Sequence, residues 1–275
     1  MAGFTTILDE YVAGQTSAGD LSLPRIGYQN LFDEPDAVIT ASKESVLYPK
    51  ENAYSGFLYD WWSTGDIGTD YLYLKLSSKK SANYFAVFGH NLGTVGSSVQ
   101  LQYSDDEVIW VNATGAYSPA GTEGVFRAFD TIQAKYWRIK VNSPSQAPLI
   151  AVIMLGEALV FPWNPDVGFS PASLNFDDKY SNVQSQNGVF LGRSIYRSGT
   201  SGRISVDLLD PVWIRDVWMP FVQSTRTKPF VFAWDYLNHP TEVVYCWTAK
   251  NQKPPKYSQP NYMRIDLHFE ALSET

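Results

Sequence analysis

The sequence has one cysteine and three histidines, and this scarcity limits the chemistry that the chain can carry. Cys246 lies in the apolar run VVYCWTA, so an internal disulfide is excluded and the thiol is predicted to be a small buried hydrophobe. None of the histidines has a cysteine, histidine or carboxylate at metal-ligand spacing, and the chain contains no nucleophile motif. We therefore expect a protein that is not an enzyme and that holds neither a metal nor another cofactor.

Long apolar runs and a basic charge are also lacking. The longest apolar run, residues 148–162, is interrupted by Gly156 and Glu157 and is too short to span a bilayer core of about 30 Å. The first residues show no basic start followed by an apolar stretch, so we expect no signal peptide and synthesis in a cytoplasm. The net charge of −7 argues against binding to nucleic acid, which requires a basic surface. We expect neither membrane insertion nor sequence-specific contact with nucleic acid.

Aromatic residues, in contrast, are abundant, with 9 Trp, 17 Tyr and 15 Phe. In the run DYLYLKLSS, residues 70–78, Leu72 and Leu74 lie on one side and Tyr71 and Tyr73 on the other, which is the period of a half-buried strand. Similar runs recur at spacings of roughly ten residues with turn-forming clusters between them. This pattern predicts a mainly β fold, a sandwich or a barrel, with no helix before residue 160.

The segment VFPWNPDVGFSP, residues 160–171, carries three prolines and interrupts the strand pattern. Prolines and glycines at this density indicate a linker, so we place a domain boundary here. The predicted organisation is an N-terminal arm over residues 1–34, a β-sandwich over 35–162, and a β-rich α+β domain over 163–275.

The C-terminal part contains the one good helix start in the sequence. Asp210 is placed to cap the helix, and Pro211 occupies the first helical position, where its missing N–H costs nothing. Trp213 and Phe221 then fall on one face of the helix. Pro220 is expected to bend the helix or to limit its length.

Two polar motifs invite a catalytic interpretation. His90 lies in FGHNLG at the end of an apolar run, and Asp105, Asp106 and Glu107 are adjacent in SDDEV. A structural role is expected for His90, at a strand corner where it bonds a backbone group. The acids are expected to form a solvated turn rather than the separated carboxyl pair of a glycosidase.

The loop LYDWWSTGD, residues 58–66, sets aromatic rings among short polar groups. Such rings can stack on a sugar while the polar groups bond its hydroxyls, which makes the loop a candidate glycan site. In the alternative, one tryptophan plugs the bottom of the sandwich and the other meets a neighbouring domain. The candidate residues are Tyr59, Asp60, Trp61, Trp62 and Asp66.

Several stretches recur in the order known from one family. The stretches AVITASKESVLYPKENAYSGFLYDWWSTGD, VQLQYSDDEVIW and AKYWRIKV resemble the discoidin, or galactose-binding-like, sandwich over about residues 35–160. In that family a Trp-Ser pair ends the first variable loop, as Trp62 and Ser63 do here. Many members hold calcium through an Asn-Ala-x-Asp-Gly loop, but this chain has Ser55 in place of the acid. The resemblance therefore implies a sandwich without that calcium, for which Asp60 and Glu157 would be the alternative ligands.

The rest of the chain resembles a second family. FLGRSIYRSG, DPVWIRDVWMPFVQSTRTKPFVFAW and EVVYCWTAKN are similar to tail proteins of long-tailed bacteriophages, in which a barrel-plus-helix domain builds rings. The resemblance implies a structural component of the virion tail tip, or baseplate, that forms a homo-oligomeric ring. Its implied partners are other tail proteins (tube, hub and tape measure), and the sandwich would contact host surface carbohydrate or neighbouring tail proteins.

A ring subunit uses a head-to-tail interface that closes by rotation, and such interfaces favour tryptophan, tyrosine, phenylalanine and arginine. The alternative is a free-standing carbohydrate-binding protein whose second domain is an accessory module. The candidate interface residues are Trp213, Arg215, Trp218, Arg226 and Lys228.

Overall fold

Antiparallel β-strands are the main secondary structure of the protein. The structure is a computed structural model that describes residues 20–175, 177–197, 199–249 and 252–271, without the side chains of Tyr196 and Arg197. The mainly β prediction is confirmed. The strands are β1 (Arg25–Gly27), β2 (Val38–Ala41), β3 (Gly68–His90), β4 (Ser98–Ser104), β5 (Val111–Asn112), β6 (Val125–Ser143), β7 (Ile150–Gly156), β8 (Ala158–Val160), β9 (Lys179–Gln184), β10 (Phe190–Arg197), β11 (Thr200–Leu209), β12 (Phe230–Ala233), β13 (Val243–Thr248), β14 (Lys256–Gln259) and β15 (Tyr262–Ala271). Short 3₁₀ helices cover Leu31–Asp33, Lys50–Tyr54 and Ala172–Leu174.

The first large sheet has the order β2-β3-β6-β4-β5, and β7 pairs with the second half of β3. Both β3 and β6 are long, and register shifts near the middle of β3 let the two strands bend from one layer into another. The leucines of the first half of β3, with Phe85 of its second half and Trp137 of β6, pack into one core. The first sheet therefore folds over itself into a sandwich.

The second large sheet has the order β11-β15-β13-β12-β1-β8, with β14 paired to β15. The predicted helix packs against it as α1 (Pro211–Trp213), a π-helical turn (Ile214–Trp218) and α2 (Met219–Ser224). Phe221 is fully buried in the core below this helix. Aromatic side chains of the helix thus cover one face of the sheet.

Helix geometry follows the predicted capping residues. The Asp210 carboxylate accepts a hydrogen bond from the backbone N–H of Val212 at 2.7 Å, with Pro211 in the first position. The π-helical turn lies directly before Pro220, where the Met219 N–H bonds the Ile214 carbonyl five residues back. A wider turn at this point suits a proline, whose ring would collide with the carbonyl of an ordinary α-turn. Pro220 is thus accommodated inside the helical segment.

Strands β1 and β8 precede the predicted boundary at residue 162 but belong to the second sheet, whose other strands follow that boundary. β1 pairs with β12 on one side and with β8 on the other. Residues 1–19 of the predicted arm lie outside the described residues, whereas its remainder includes β1 and the buried Ile26. The boundaries themselves stay predictions, and the structure places residues from both sides of position 162 in one sheet.

The two large sheets share a core. Tyr84, Phe88 and Phe126 of the sandwich pack with Val231 and Tyr245 of the second sheet. β9 and β10 form a separate two-stranded sheet. Within the part of the chain that the structure describes, no helix is long and apolar enough to cross a membrane.

Candidate functional site

Both tryptophans of the predicted glycan loop, Trp61 and Trp62, pack against buried parts of the protein. Trp62 is only 1% exposed, and its backbone exchanges hydrogen bonds with Ile150 at 2.8 and 2.9 Å. Trp61 packs against the core shared by the two sheets, and its carbonyl accepts a hydrogen bond from Asn52 Nδ2. Trp62 is therefore part of the sandwich core, and Trp61 packs against the cluster that contains residues of both sheets.

The other residues of that loop remain nearer to solvent. Tyr59 is 66% exposed and stacks on Phe57, with ring centroids 5.1 Å apart. Asp66 pairs with Lys43 at 3.5 Å, and Asp60 is half-buried. The loop offers one exposed aromatic pair beside two carboxylates, and its role in glycan binding stays a prediction.

A cleft of about 200 Å³ lies next to this loop, between the sandwich and the second sheet. Phe57 borders the cleft, and Tyr245 below it donates a hydrogen bond to the Gly56 carbonyl at 2.8 Å. Lys228, a predicted interface residue, forms an ion pair with Asp33 across the cleft at 2.7 Å. The ion pair joins the two parts of the molecule across the cleft.

A more open arrangement covers the outer face of the sandwich sheet. Strand alternation directs Leu72 and Leu74 of β3 into the core, so Tyr71 and Tyr73 project from the opposite face. On β6, Trp137 faces the core, and its neighbour Arg138 projects outward beside Tyr73. The register then places five side chains in one row across the sheet: Thr40, Tyr73, Arg138, Gln102 and Asn112.

Arg138 is held between two aromatic rings in this row. Its guanidinium carbon lies 4.3 Å from the ring centroid of Tyr71 and 4.2 Å from that of Trp110. Tyr73 contacts both rings, edge-on to Trp110 and tilted against Tyr71. Arginine stacks on aromatic faces in this way because its planar cation is weakly hydrated. We call the set Tyr71, Tyr73, Gln102, Trp110, Asn112 and Arg138 the aromatic–arginine face.

A chain of hydrogen bonds continues across the face. Arg138 Nε donates to Gln102 Oε1 at 2.7 Å, and Gln102 Nε2 donates to Asn112 Oδ1 at 2.7 Å. Gln102 is buried, and both polar atoms of its side-chain amide are engaged in these hydrogen bonds. The guanidinium Nη groups and the Asn112 amide Nδ2 have no other partner among the residues that the structure describes. The face therefore presents oriented N–H donors between aromatic rings.

The turn before Trp110 is built by the acid cluster. Asp106 accepts hydrogen bonds from the backbone N–H groups of Val108 and Ile109, and these bonds lower its pKa. Glu107 adopts a left-handed backbone conformation with φ of 64°. The prediction of a solvated turn is confirmed, and the turn delivers Trp110 to the edge of the face.

Charged side chains of both signs border the aromatic–arginine face. Lys140 is the cross-strand neighbour of Tyr71 on the same outer surface. Lys75 forms an ion pair with Glu107 at 3.1 Å, and this carboxylate raises the pKa of Lys75. Arg138 and Lys140 add two positive charges to the face, and the exposed Asp105 and Asp106 lie in the turn that leads to Trp110.

His90 and Cys246 have the structural roles predicted for them. His90 ends β3 and is 5% exposed, and its Nδ1 accepts a hydrogen bond from the Leu92 N–H at 3.3 Å. Burial lowers the pKa of His90 and so favours its neutral form. Cys246 is fully buried, and burial raises the pKa of its thiol. Neither group is presented to a ligand.

The predicted interface residues divide between core and surface. Trp218 is 3% exposed, and Trp213 is partly buried beside it, so both rings belong to the core under the helix. Arg215 and Arg226 are exposed, and Arg215 Nη1 donates one hydrogen bond to the Pro211 carbonyl at 2.7 Å. The proposed use of these arginines in oligomerisation stays a prediction.

Sequence reasoning missed Trp110, Gln102, Asn112 and Arg138 as a group. One signal was present, because alternation in KYWRIK places Arg138 opposite the core residue Trp137. In the described part of the chain, no three histidine, cysteine, aspartate or glutamate residues are grouped closely enough to hold a metal ion.

Comparison with known proteins finds solved structures that are similar to part of this chain. No family model matches the chain, and no curated protein matches it. A pectin-binding carbohydrate-binding module is 18% identical, with 43% of this chain and 88% of the module aligned at a TM-score of 0.37. A CBM32 module from Clostridium perfringens in complex with GalNAc-β-1,3-galactose is 15% identical, with 44% and 95% aligned at a TM-score of 0.38. A GH29 fucosidase of Ruminococcus gnavus is 15% identical over 48% of this chain, at a TM-score of 0.42, and only 27% of the fucosidase is aligned.

Proposed function

We propose that the protein binds carbohydrate through the aromatic–arginine face of its sandwich. The observation that carries the proposal is the placement of Arg138 between Tyr71 and Trp110, with its Nε bonded to Gln102. Aromatic rings and hydrogen-bonded N–H donors occur together on the outer face of one sheet, where the rings and Arg138 are partly exposed. This combination suits a sugar chain that lies along the sheet.

The chemistry of a pyranose ring matches both kinds of group. Aromatic rings are amphipathic surfaces with an electron-rich face, against which the C–H groups of a sugar pack. The amide Nδ2 of Asn112 and the guanidinium of Arg138 supply paired N–H donors that match two neighbouring hydroxyls or a carboxylate. Because the rings and the hydrogen-bond chain are already ordered, little conformational entropy is lost on binding.

We also propose that the protein binds without catalysis. Glu107, the carboxylate next to the face, is paired with Lys75 rather than opposed to a second acid. Hydrolysis of a glycosidic bond generally requires two carboxyl groups on either side of it.

The experiment is a binding screen followed by a point substitution. The protein is run through gels that contain immobilised neutral or acidic polysaccharides, and calorimetry then measures the affinity for any retarding glycan. Trp110→Ala should weaken that affinity at least about tenfold, since the ring and the position of Arg138 are lost together.

Tyr59→Ala is the matched control, because it removes an exposed ring from the loop predicted from sequence. It should leave the affinity unchanged. If Tyr59→Ala abolishes binding and Trp110→Ala does not, the glycan site is the loop and the proposal for the sheet face is wrong. Absence of binding by the parent to every glycan would contradict the function itself.

The second candidate is a structural component of a virion tail tip, which the resemblance of the C-terminal part implies. It is supported by the association of a β-sheet with a single packed helix and by an exposed hairpin, β9–β10, which extends from that part. Electron microscopy of the purified protein tests it. Closed rings of uniform size are expected, and particles of a single subunit at all concentrations would contradict it.

A further inference from the structure

The hydrogen-bond chain across the aromatic–arginine face runs in one direction. An arginine side chain has only N–H donors and no acceptor, so the chain must begin at Arg138. Arg138 Nε donates to Gln102 Oε1, and Gln102 Nε2 donates to Asn112 Oδ1. These bonds fix the orientation of both amides. The groups left at the two ends of the chain, the Arg138 Nη groups and Asn112 Nδ2, are therefore donors.

Lys140 adds a further donor to the same surface. It follows Arg138 by two residues on β6, so both side chains project from the outer side of the sheet. Lys140 is also the cross-strand neighbour of Tyr71, the ring on which Arg138 stacks. An ammonium group donates hydrogen bonds and cannot accept them. Two cations and the Asn112 amide donor thus lie close together.

The nearby carboxylates are engaged elsewhere. Glu107 pairs with Lys75 at 3.1 Å, and Asp105 pairs with Lys79 at 2.7 Å. Asp106 accepts hydrogen bonds from backbone N–H groups of its own turn. Among the residues that the structure describes, no carboxylate forms an ion pair with either cation of the face.

Arg138 is placed to attract an anion more strongly than a fully exposed arginine would. Ring centroids of Tyr71 and Trp110 lie 4.3 and 4.2 Å from its guanidinium carbon, and the residue is only partly exposed. Water screens the charge of a partly buried group less than that of a group in bulk solvent. Its bond to the neutral Gln102 oxygen leaves the positive charge without a counter-charge.

The geometry of these donors distinguishes between acceptors. A sugar hydroxyl both donates and accepts, whereas a carboxylate only accepts, through two oxygens. With Nε engaged, Nη1 and Nη2 of Arg138 remain as a planar fork whose spacing matches the two oxygens of a carboxylate. A planar carboxylate can lie in the plane of the guanidinium, between the same two rings. A tetrahedral sulfate would extend out of that plane towards them.

We propose that the sugar bound at the aromatic–arginine face carries a carboxylate, which the Nη groups of Arg138 bind and Lys140 attracts. The inference rests on the proposed carbohydrate-binding function and adds the chemical class of the ligand. Because the whole chain has a net charge of −7, general attraction does not hold an anionic polymer on this protein. The affinity arises from the local donors and rings.

Calorimetry with three carboxylated polymers, each beside its carboxyl-reduced form, tests the proposal. The polymers are polygalacturonate, hyaluronate and polysialate, and reduction replaces each carboxylate by a hydroxymethyl group without changing the sugar chain. At least one polymer should bind at least about tenfold more tightly than its reduced form. Dextran sulfate, a polyanion without carboxylates, should bind less tightly than that polymer.

The outcomes separate this inference from the function on which it rests. If a reduced form or a neutral glycan binds as tightly as the carboxylated polymers, carbohydrate binding stands and the carboxylate assignment is wrong. Dextran sulfate that binds as tightly as the best polymer would also overturn the assignment, because any anion would then suffice. Absence of binding to every acidic, reduced and neutral glycan would overturn the function together with the inference.

Two substitutions locate the carboxylate. Arg138→Gln should make the affinities for the acidic polymer and its reduced form nearly equal, and Lys140→Gln should reduce their ratio by about threefold. The ratio is measured within one protein, so a general loss of stability does not imitate the effect. Arg226→Gln and Lys256→Gln are the matched controls, since each removes one exposed positive charge outside the sandwich. They should keep the ratio of the parent, and an unchanged ratio in Arg138→Gln would overturn the proposal.

Discussion

Arg138 has three roles that no other cationic side chain could combine. Its guanidinium stacks between two rings, donates its Nε–H to Gln102, and keeps two Nη groups that have no hydrogen-bond partner among the described residues. Stacking between rings requires a planar cation, and the fixed fork of donors requires a guanidinium. A lysine at this position would keep the charge and lose both features.

The substitution Arg138→Lys should therefore weaken glycan affinity by about tenfold although the net charge is unchanged. Isothermal titration calorimetry with the glycan found in the screen provides the measurement. Lys43→Arg, an exchange of the same two side chains at an exposed site beside the loop, is the control and should bind like the parent. An affinity for Arg138→Lys within about twofold of the parent would show that charge alone accounts for binding.

His90 gives a prediction about pH. Its folded pKa lies below the ordinary value of 6.5 because burial penalises the charged imidazole. Below pH 6.5 the unfolded chain therefore binds a proton that the folded chain does not, so stability declines as pH falls from that value towards the folded pKa. Above pH 6.5 the imidazole is mostly neutral in both states, so His90 no longer lowers the stability.

In the variant His90→Gln this part of the pH dependence should disappear. Urea unfolding of the parent and the variant at a series of pH values between about 5 and 8 measures it, since an ordinary histidine titrates in that range. The parent should lose more stability than His90→Gln towards the acidic end. Parallel curves for the two proteins would contradict a buried neutral imidazole.

At this scale the sequence predicts which side of a strand a residue occupies, but not which residues meet. Alternation alone placed Tyr71 and Tyr73 opposite the leucines. The contact of Arg138 with Gln102 joins residues 36 positions apart, and it exists because β6 pairs with β4 in one particular register. Register depends on the whole sheet, so the face could not be assembled from local pattern.

Among the elements, the helix start is the most sequence-determined feature. The Asp210 side chain satisfies one of the backbone N–H groups that every helix leaves unpaired at its N-terminus. Asp210→Ala should lower the free energy of unfolding by about 1 kcal/mol, within the range of 0.5–2 found for such caps. Asp210→Asn keeps an oxygen acceptor and should cost much less.

Urea denaturation followed by tryptophan fluorescence compares the three proteins, because two tryptophans lie in or beside the core under this helix. Equal losses for Asp210→Ala and Asp210→Asn would mean that the charge of the carboxylate, rather than the cap hydrogen bond, stabilises this end of the helix.

Strand boundaries were harder to predict than strand existence. The alternating run at 70–78 and the apolar run ANYFAVFG at 82–89 each predict a strand, and short polar residues lie between them. In the structure they are one strand, β3, which continues through a shift in its register with β6. Pairing with a long partner overrides the local turn signal, and the polar residues lie where the strand bends between layers.

At the scale of the whole molecule, the proline-rich segment does not separate two independent cores. Tyr84, fully buried in the sandwich, donates a hydrogen bond to the Gln29 carbonyl just after β1, a strand of the second sheet. Val231 and Tyr245 of the second sheet complete the same core. The proline-rich composition predicts an irregular segment. It gives no sign of the shared core, because the residues of that core have the same apolar pattern in the sequence as other strand residues.

This shared core leads to a prediction about cooperativity. Cutting the chain at residue 162 would expose apolar surface of Tyr84, Phe88 and Phe126, which are buried in the shared core. Burial of apolar surface stabilises the folded state by about 25 cal/mol per Å². Loss of either part therefore destabilises the other. The two parts should unfold together in a single calorimetric transition although the chain has 275 residues.

Two substitutions of buried valines make the test specific. Val87 lies in the core of the sandwich and Val206 in the core of the second sheet, and both are fully buried. Val87→Ala and Val206→Ala should each move the same single transition to lower temperature, with calorimetric and van't Hoff enthalpies in agreement. Two resolved transitions, of which Val87→Ala shifts only one, would mean that the parts are independent domains. The sandwich could then be studied alone, and the shared core would contribute little to its stability.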